Sequence, residues 1–144
     1  KKAWSGEPYW KFKYKGRSQD IFFICSLSEL PNFLDILFEA VVEHGYSSSD
    51  LGIYVQPLEY GRAAYCEITF HYNPERVEET NKIRNLVRDV CDRLGRNGAF
   101  FNRPYGPMAD VAYGFNVSYT SLLMRIKDVF DTNNIMNPGK LFFR

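Results

Sequence analysis

Apolar and polar positions along the chain follow two rhythms in alternation. DIFFICS, from residue 20, is a short β-branched and aromatic run between polar flanks, and its apolar character on both faces predicts a strand covered on two sides. SLSELPNFLDILFEAVVEHG then carries Leu30, Phe33, Leu34, Leu37, Phe38 and Val41 at helical spacing. Ser26 and Glu29 stand three apart as in a capping box, Pro31 falls in the tolerant first turn, and Gly45 supplies the stop. LGIYVQPLEYGRAAYCEITFHY predicts two strands joined around Tyr60-Gly61-Arg62, the first placed at an edge by Pro57. In the second, Cys66, Ile68, Phe70 and Tyr72 point one way while Tyr65, Glu67, Thr69 and His71 point the other.

NPERVEETNKIRNLVRDVCDRLGRNG predicts a second helix, with Asn73 as cap, Pro74 at the first helical position and a buried stripe of Ile83, Leu86, Val87, Val90, Cys91 and Leu94. Gly95 and Gly98 are expected to end it, and GAFFNR reads as a last short strand. The order strand, helix, strand, strand, helix, strand is the split βαβ of ferredoxin-like α+β folds, an antiparallel sheet with two helices on one face. The opposite face then meets solvent, a second sheet or a ligand. Residues 1–19 mix lysines with Trp4, Tyr9, Trp10, Phe12 and Tyr14 and read as a linker that docks by its aromatics. Residues 20–103 form the ferredoxin-like unit, and 104–144 a loop, closing helix and tail. RPYGPMADVAYG reads as a packed loop; YTSLLMRIKDVFD predicts a helix with Leu122, Leu123, Ile126, Val129 and Phe130 largely on one side. The six-element layout has no place for that helix.

At 144 residues the chain suits one domain able to bury a core without staples. Eighteen Lys and Arg stand against 17 Asp and Glu, so no basic field points to nucleic acid. Cys25, Cys66 and Cys91 are odd in number and lack a CxxC, which indicates neither a disulfide framework nor a zinc site and favours a reducing, cytoplasmic setting. No apolar run reaches the ~18 residues of a membrane helix, and KKAWSGEPYWKFKYKG lacks a signal peptide's apolar segment. Aromatic residues make up 17% of the chain, more than a core this size needs, which assigns some of them to a cavity or an interface.

A helix of the form LxxxIKxxFDxxNIMNPGKL, spanning residues 122–141, resembles the closing segment of FAD-linked oxidases of the vanillyl-alcohol oxidase and p-cresol methylhydroxylase family. YVQPLEYGRAAY and GAFFNRPYGPMAD resemble its phenol-oxidising branch, and the strand-helix order of 20–103 is similar to the second half of its cap, or substrate, domain. The resemblance implies the C-terminal part of a flavoenzyme whose FAD-binding domain lies elsewhere, because no Gly-rich pyrophosphate-cradling segment is found. A chain that begins without Met suits such a piece. FAD is expected to be non-covalent, since RSQDIFF offers neither His nor Tyr as a tether and His44 and His71 stand at element ends.

Family likeness also implies site residues. Where the phenol-oxidising branch carries a Tyr-Arg pair after the last cap strand, this chain has Asn102-Arg103. Arg103 keeps the cation that would hold a phenolate or a reduced flavin. Asn102 cannot give or take a proton near neutrality, which leaves Tyr105 as the stand-in and the substrate open. Tyr65 and Gln56 are expected to contact substrate on the open sheet face, and Asn137 and Lys140 to approach the cofactor; the plainer alternatives are a half-buried tyrosine, a surface ion pair at Arg103, and an Asn-Pro-Gly turn beside a solvated lysine. No metal motif is seen. Expected partners are the missing FAD-binding domain and a small-molecule substrate, with a homodimer open and neither nucleic acid nor membrane indicated. The competing reading is a stand-alone ferredoxin-like module that binds a small molecule or dimerises through its aromatic sheet face.

Overall fold

The computed structural model describes residues 10–140. Among them, a three-stranded antiparallel sheet in the order β1-β3-β2 is built from β1 (Arg17–Ser26), β2 (Leu51–Leu58) and β3 (Ala63–Tyr72). Four helices accompany it: α1 (Leu30–Glu43), α2 (Val77–Arg96), α3 (Pro107–Gly114) and α4 (Val117–Phe130). The class is α+β. Pro57 does sit on an edge strand, since β2 pairs only with β3 among the described residues.

The alternation in β3 sorts its side chains as expected. Ala64, Cys66, Ile68, Phe70 and Tyr72 are buried, and with Ile21, Phe23 and Cys25 of β1 they form the sheet side of the core. Phe33, Leu37, Ala40 and Val41 of α1 and the stripe Ile83, Leu86, Val87, Val90, Cys91 and Leu94 of α2 close over them. All three cysteines are buried free thiols, and burial pushes Cys66 and Cys91 up to about 12, so they behave as small apolar groups.

Several local expectations are corrected. GAFFNR does not form a strand: only Phe100 bridges to Ile24 of β1, because Ala99 and Phe101 on either side turn into the core and Pro104 follows soon after. The Ser26–Glu29 capping box does not form either. Ser26 pairs with Ser28, Glu29 with Asn32, and a 3₁₀ turn over Leu27–Glu29 leads into α1. Asn73 starts a turn rather than a helix, its side chain accepting from the Glu75 backbone, so α2 begins at Val77 with Arg76 as its cap. RPYGPMADVAYG is not a loop throughout. Pro107 opens α3, where Met108 and Ala109 are buried.

Gly95 lies inside α2 rather than ending it. A Cβ there would stand 2.4 Å from Cγ1 of Val111 and 3.2 Å from the Phe115 ring, so its missing side chain is what lets α3 approach. The stop comes at Asn97 and at Gly98, whose φ of 93° is a left-handed geometry.

Helix α4 is capped by Asn116, whose side chain accepts from the backbone N–H of Tyr119. It buries no residue at all. Thr120, Leu123 and Lys127 share its half-covered side; Tyr119, Leu122, Ile126, Val129 and Phe130 form an adjoining apolar stripe that is exposed. The terminal residues Leu141, Phe142 and Phe143, together with Trp4 and Tyr9, lie outside the described residues.

Candidate functional site

The sheet face opposite the helices is only partly covered. Residues 10–16 cross it as a strap whose hold is polar and aromatic, through Lys11, Tyr14 and Lys15. The Lys11 side chain, 5% exposed, places its ammonium 2.9 Å from Asp20 Oδ2 and 3.4 Å from Thr69 Oγ1, and it also binds Glu67. Burial works against that charge, but the Glu67 and Asp20 carboxylates overcome it and hold the group above its ordinary value. Further along, Tyr14 packs edge-on against His71 and donates to Asp50, which Lys15 also holds. The expected docking of the first segment thus includes two lysines as well as the aromatic ring of Tyr14.

Beyond the strap the register sets residues in rows across the sheet. Ile24, Tyr65 and Gln56 share one row, and Phe22, Glu67 and Tyr54 the next. Tyr54 meets the Tyr65 ring at a steep angle, with centroids 6.4 Å apart. The Tyr65 hydroxyl lies 3.5 Å from Glu67 Oε2, the limit of a hydrogen bond, and Tyr54 donates to Gln56 Oε1 at 3.3 Å. Arg103 stacks over Phe22 at 5.4 Å. Burial and the Glu67 charge push the Tyr65 phenol up, with Arg103 and Lys11 pulling it partly back. At neutral pH Tyr65 is thus a protonated donor, beside a cation.

Of the residues named from the sequence, Tyr65, Gln56 and Arg103 come together on this face. Asn102, next to Arg103, is half-buried, and its Oδ1 is a buried acceptor without a partner. Tyr105 belongs to a second place. It lines a cleft of about 730 Å³ with Phe130, Met136, Asn137, Lys140 and Asp110. That volume falls in the range of small-molecule sites.

The floor of the cleft explains why the NIMNPGK loop holds its shape. Asp131, buried at the end of α4, accepts from the backbone N–H groups of Ile135 (2.8 Å) and Met136 (3.0 Å) and binds Lys127, which in turn reaches Asn134 Oδ1 at 2.8 Å. Those hydrogen bonds, Lys127 foremost, hold the Asp131 carboxyl below its ordinary value. Asn134 and Asn137 take left-handed φ of 49°, and Gly139 takes 68°. Lys127, Asp131 and Asn134 are thereby used within the loop, which leaves Ile135, Met136, Asn137 and Lys140 facing outward. Neither Lys127 nor Asp131 is among the site residues expected from the sequence; their four-residue spacing was the available signal.

No group of three or more metal-ligating side chains occurs among the described residues. No helix among them is long and apolar enough to cross a membrane. In comparisons with known proteins, no family model, curated protein or solved structure matches the chain.

Proposed function

We propose that this chain is the cap and closing portion of an FAD-dependent oxidoreductase, its sheet face forming part of the substrate pocket and α4 with the NIMNPGK loop docking on the flavin-carrying domain. The three-stranded sheet, with the Phe100 bridge as remnant of a fourth strand, is read here as a ferredoxin-like half-cap. One observation carries the reading: α4 presents an apolar stripe ending in Phe130, 81% exposed, directly before a loop whose shape is fixed from within. An apolar stripe of this size on a capped helix implies a covering surface.

The residues present fit one edge of a flavin, not the whole cofactor. Tyr105, Phe130 and Met136 offer apolar walls, Asn137 an amide and Lys140 a cation to a planar heteroaromatic group, while nothing among the described residues forms a Gly-rich cradle for a pyrophosphate. When bound, FAD supplies the acceptor for a hydride leaving a benzylic or alpha-hydroxy carbon. Arg103 holds the anionic oxygen of the substrate, and Tyr65, protonated, donates to the same region. Asn102 moves no proton.

The test is to purify the complete protein from its native reading frame and record its visible spectrum before and after acid precipitation. The expected result is a flavin spectrum released into the supernatant, with kcat/KM on para-substituted phenols or 2-hydroxy acids falling at least tenfold in Arg103→Met. A complete protein that neither contains nor takes up FAD overturns the reading and leaves the stand-alone binding or dimerisation module.

A further inference from the structure

A lysine buried on the open face of a sheet is an uncommon placement, because its ammonium gives up water that only well-placed partners replace. Lys11 has such partners on both strands beneath it: Asp20 on β1, and Glu67 and Thr69 on β3. Glu67 is shared. Its Oε1 faces Lys11, while its Oε2 lies 3.5 Å from the Tyr65 hydroxyl. The strap thus reaches Tyr65 through one carboxylate.

We propose that Lys11 is a positioning residue for Tyr65: by binding Glu67 it anchors that carboxylate and offsets its charge, so that the Tyr65 hydroxyl is left to donate to an anionic ligand beside Arg103. The role given to the ligand rests on the function proposed above; the coupling itself stands on the geometry of this chain.

The charges around Tyr65 show why the lysine matters. Glu67 on its own strand, Lys11 from the strap and Arg103 after the Phe100 bridge act on it, and the uncharged Tyr54 of β2 packs beside it. With Lys11 in place the set of Lys11, Asp20, Glu67 and Arg103 sums to zero. Without it, two carboxylates face one guanidinium, an arrangement that repels an anion and strengthens the hold of Glu67 on the Tyr65 proton. A buried cation that offsets fixed carboxylates also makes the face selective, admitting an acidic phenol or a carboxylate and disfavouring an amine.

The experiment is a pH titration of tyrosine ring signals by NMR in the 144-residue chain, with Tyr65 assigned by its loss in Tyr65→Phe. Lys11→Met is expected to move the Tyr65 midpoint upward, Glu67→Gln to move it downward, and the double variant to bring it back below that of Lys11→Met. The discriminating result is a Lys11→Met shift that is smaller in the Glu67→Gln background than in the wild type, because a lysine acting through Glu67 loses its lever there, whereas a merely structural lysine shifts Tyr65 equally in both. Glu67→Gln keeps the proposal testable should Lys11→Met unfold, because Glu67 is only half-buried and Asp20 still pairs with the lysine. A Tyr65 midpoint unmoved by Glu67→Gln overturns the coupling, whether or not the complete protein binds FAD. As a second reading, 4-hydroxybenzoate added to the wild-type chain is expected to shift the Arg103 and Tyr65 signals more than tyramine does; equal shifts from the two overturn the selectivity.

Discussion

Helices α1 and α4 are both 14 residues long, and both carry an apolar stripe at the same spacing. α1 places Phe33, Leu37, Ala40 and Val41 in the core, whereas α4 buries none of its residues. Periodicity states that a helix needs a partner surface; the rest of the fold decides whether this chain contains it. For α1 the partner is the face of the sheet lined by Ile21, Phe23, Cys66 and Ile68. For α4 the described residues supply only a half-covered edge at Thr120, Leu123 and Lys127.

The largest effect that sharpens this contrast lies in the core. Phe70, fully buried on the central strand, is expected to cost about 3–5 kcal/mol when changed to Ala, read by urea denaturation. A loss below 1 kcal/mol would mean that the sheet side of the core is not packed as described.

Next comes the joint between the two regions. Gly95→Ala forces a methyl group against Val111 and Phe115, which is expected to cost about 1–3 kcal/mol and to loosen α3 in hydrogen exchange. The same substitution at Gly98 meets no neighbouring atom, so any loss there comes from its positive φ alone and should leave α3 exchange unchanged.

A third effect is local to the loop. Asp131→Asn should speed amide exchange at Ile135 and Met136 without changing the denaturation midpoint of the sheet. Because the folded Asp131 carboxyl sits below its unfolded value, its contribution is complete above the unfolded pKa and is lost as pH falls through the folded one. Protection factors at residues 135 and 136, taken against the intrinsic exchange rate at each pH, should therefore fall on acidification across that window in the wild type and show no such step in Asp131→Asn.

The smallest expected effect is the most telling. Ile126→Asp or Val129→Asp should change the stability of this chain by no more than about 0.5 kcal/mol, since both side chains are exposed. The proposed function adds that the same changes in the flavin-carrying protein should release FAD and lower activity. A large destabilisation of the chain itself would show that α4 is part of its own core.

How far the fold was legible follows the same division. Where one face is buried and the other wet, as in β3, period 2 sorted Cys66, Ile68, Phe70 and Tyr72 from Tyr65, Glu67 and His71, and the α2 stripe was found residue by residue. Boundaries set by competing local bonds were not. The Asn73 side chain chose the Glu75 backbone over a helix cap, and Ser26 chose Ser28. α3 was missed because the stretch leading into it, RPYGP, is Pro- and Gly-rich and its buried pair, Met108 and Ala109, is too short to make a rhythm. At the site, Tyr65, Gln56 and Arg103 share a face that strand register could indicate, whereas Lys11 reaches that face from a segment with no periodicity. Tyr105, Asn137 and Lys140 meet only because Asp131 bends the chain after α4.

Hydrogen exchange along residues 117–130, compared between this chain alone and the complete protein, addresses the central claim most directly. The account predicts fast exchange of α4 in the isolated chain and strong protection in the complete protein, with α1 protected in both. Equal protection of α4 in the two would contradict it, because the apolar stripe would then have no surface to dock on.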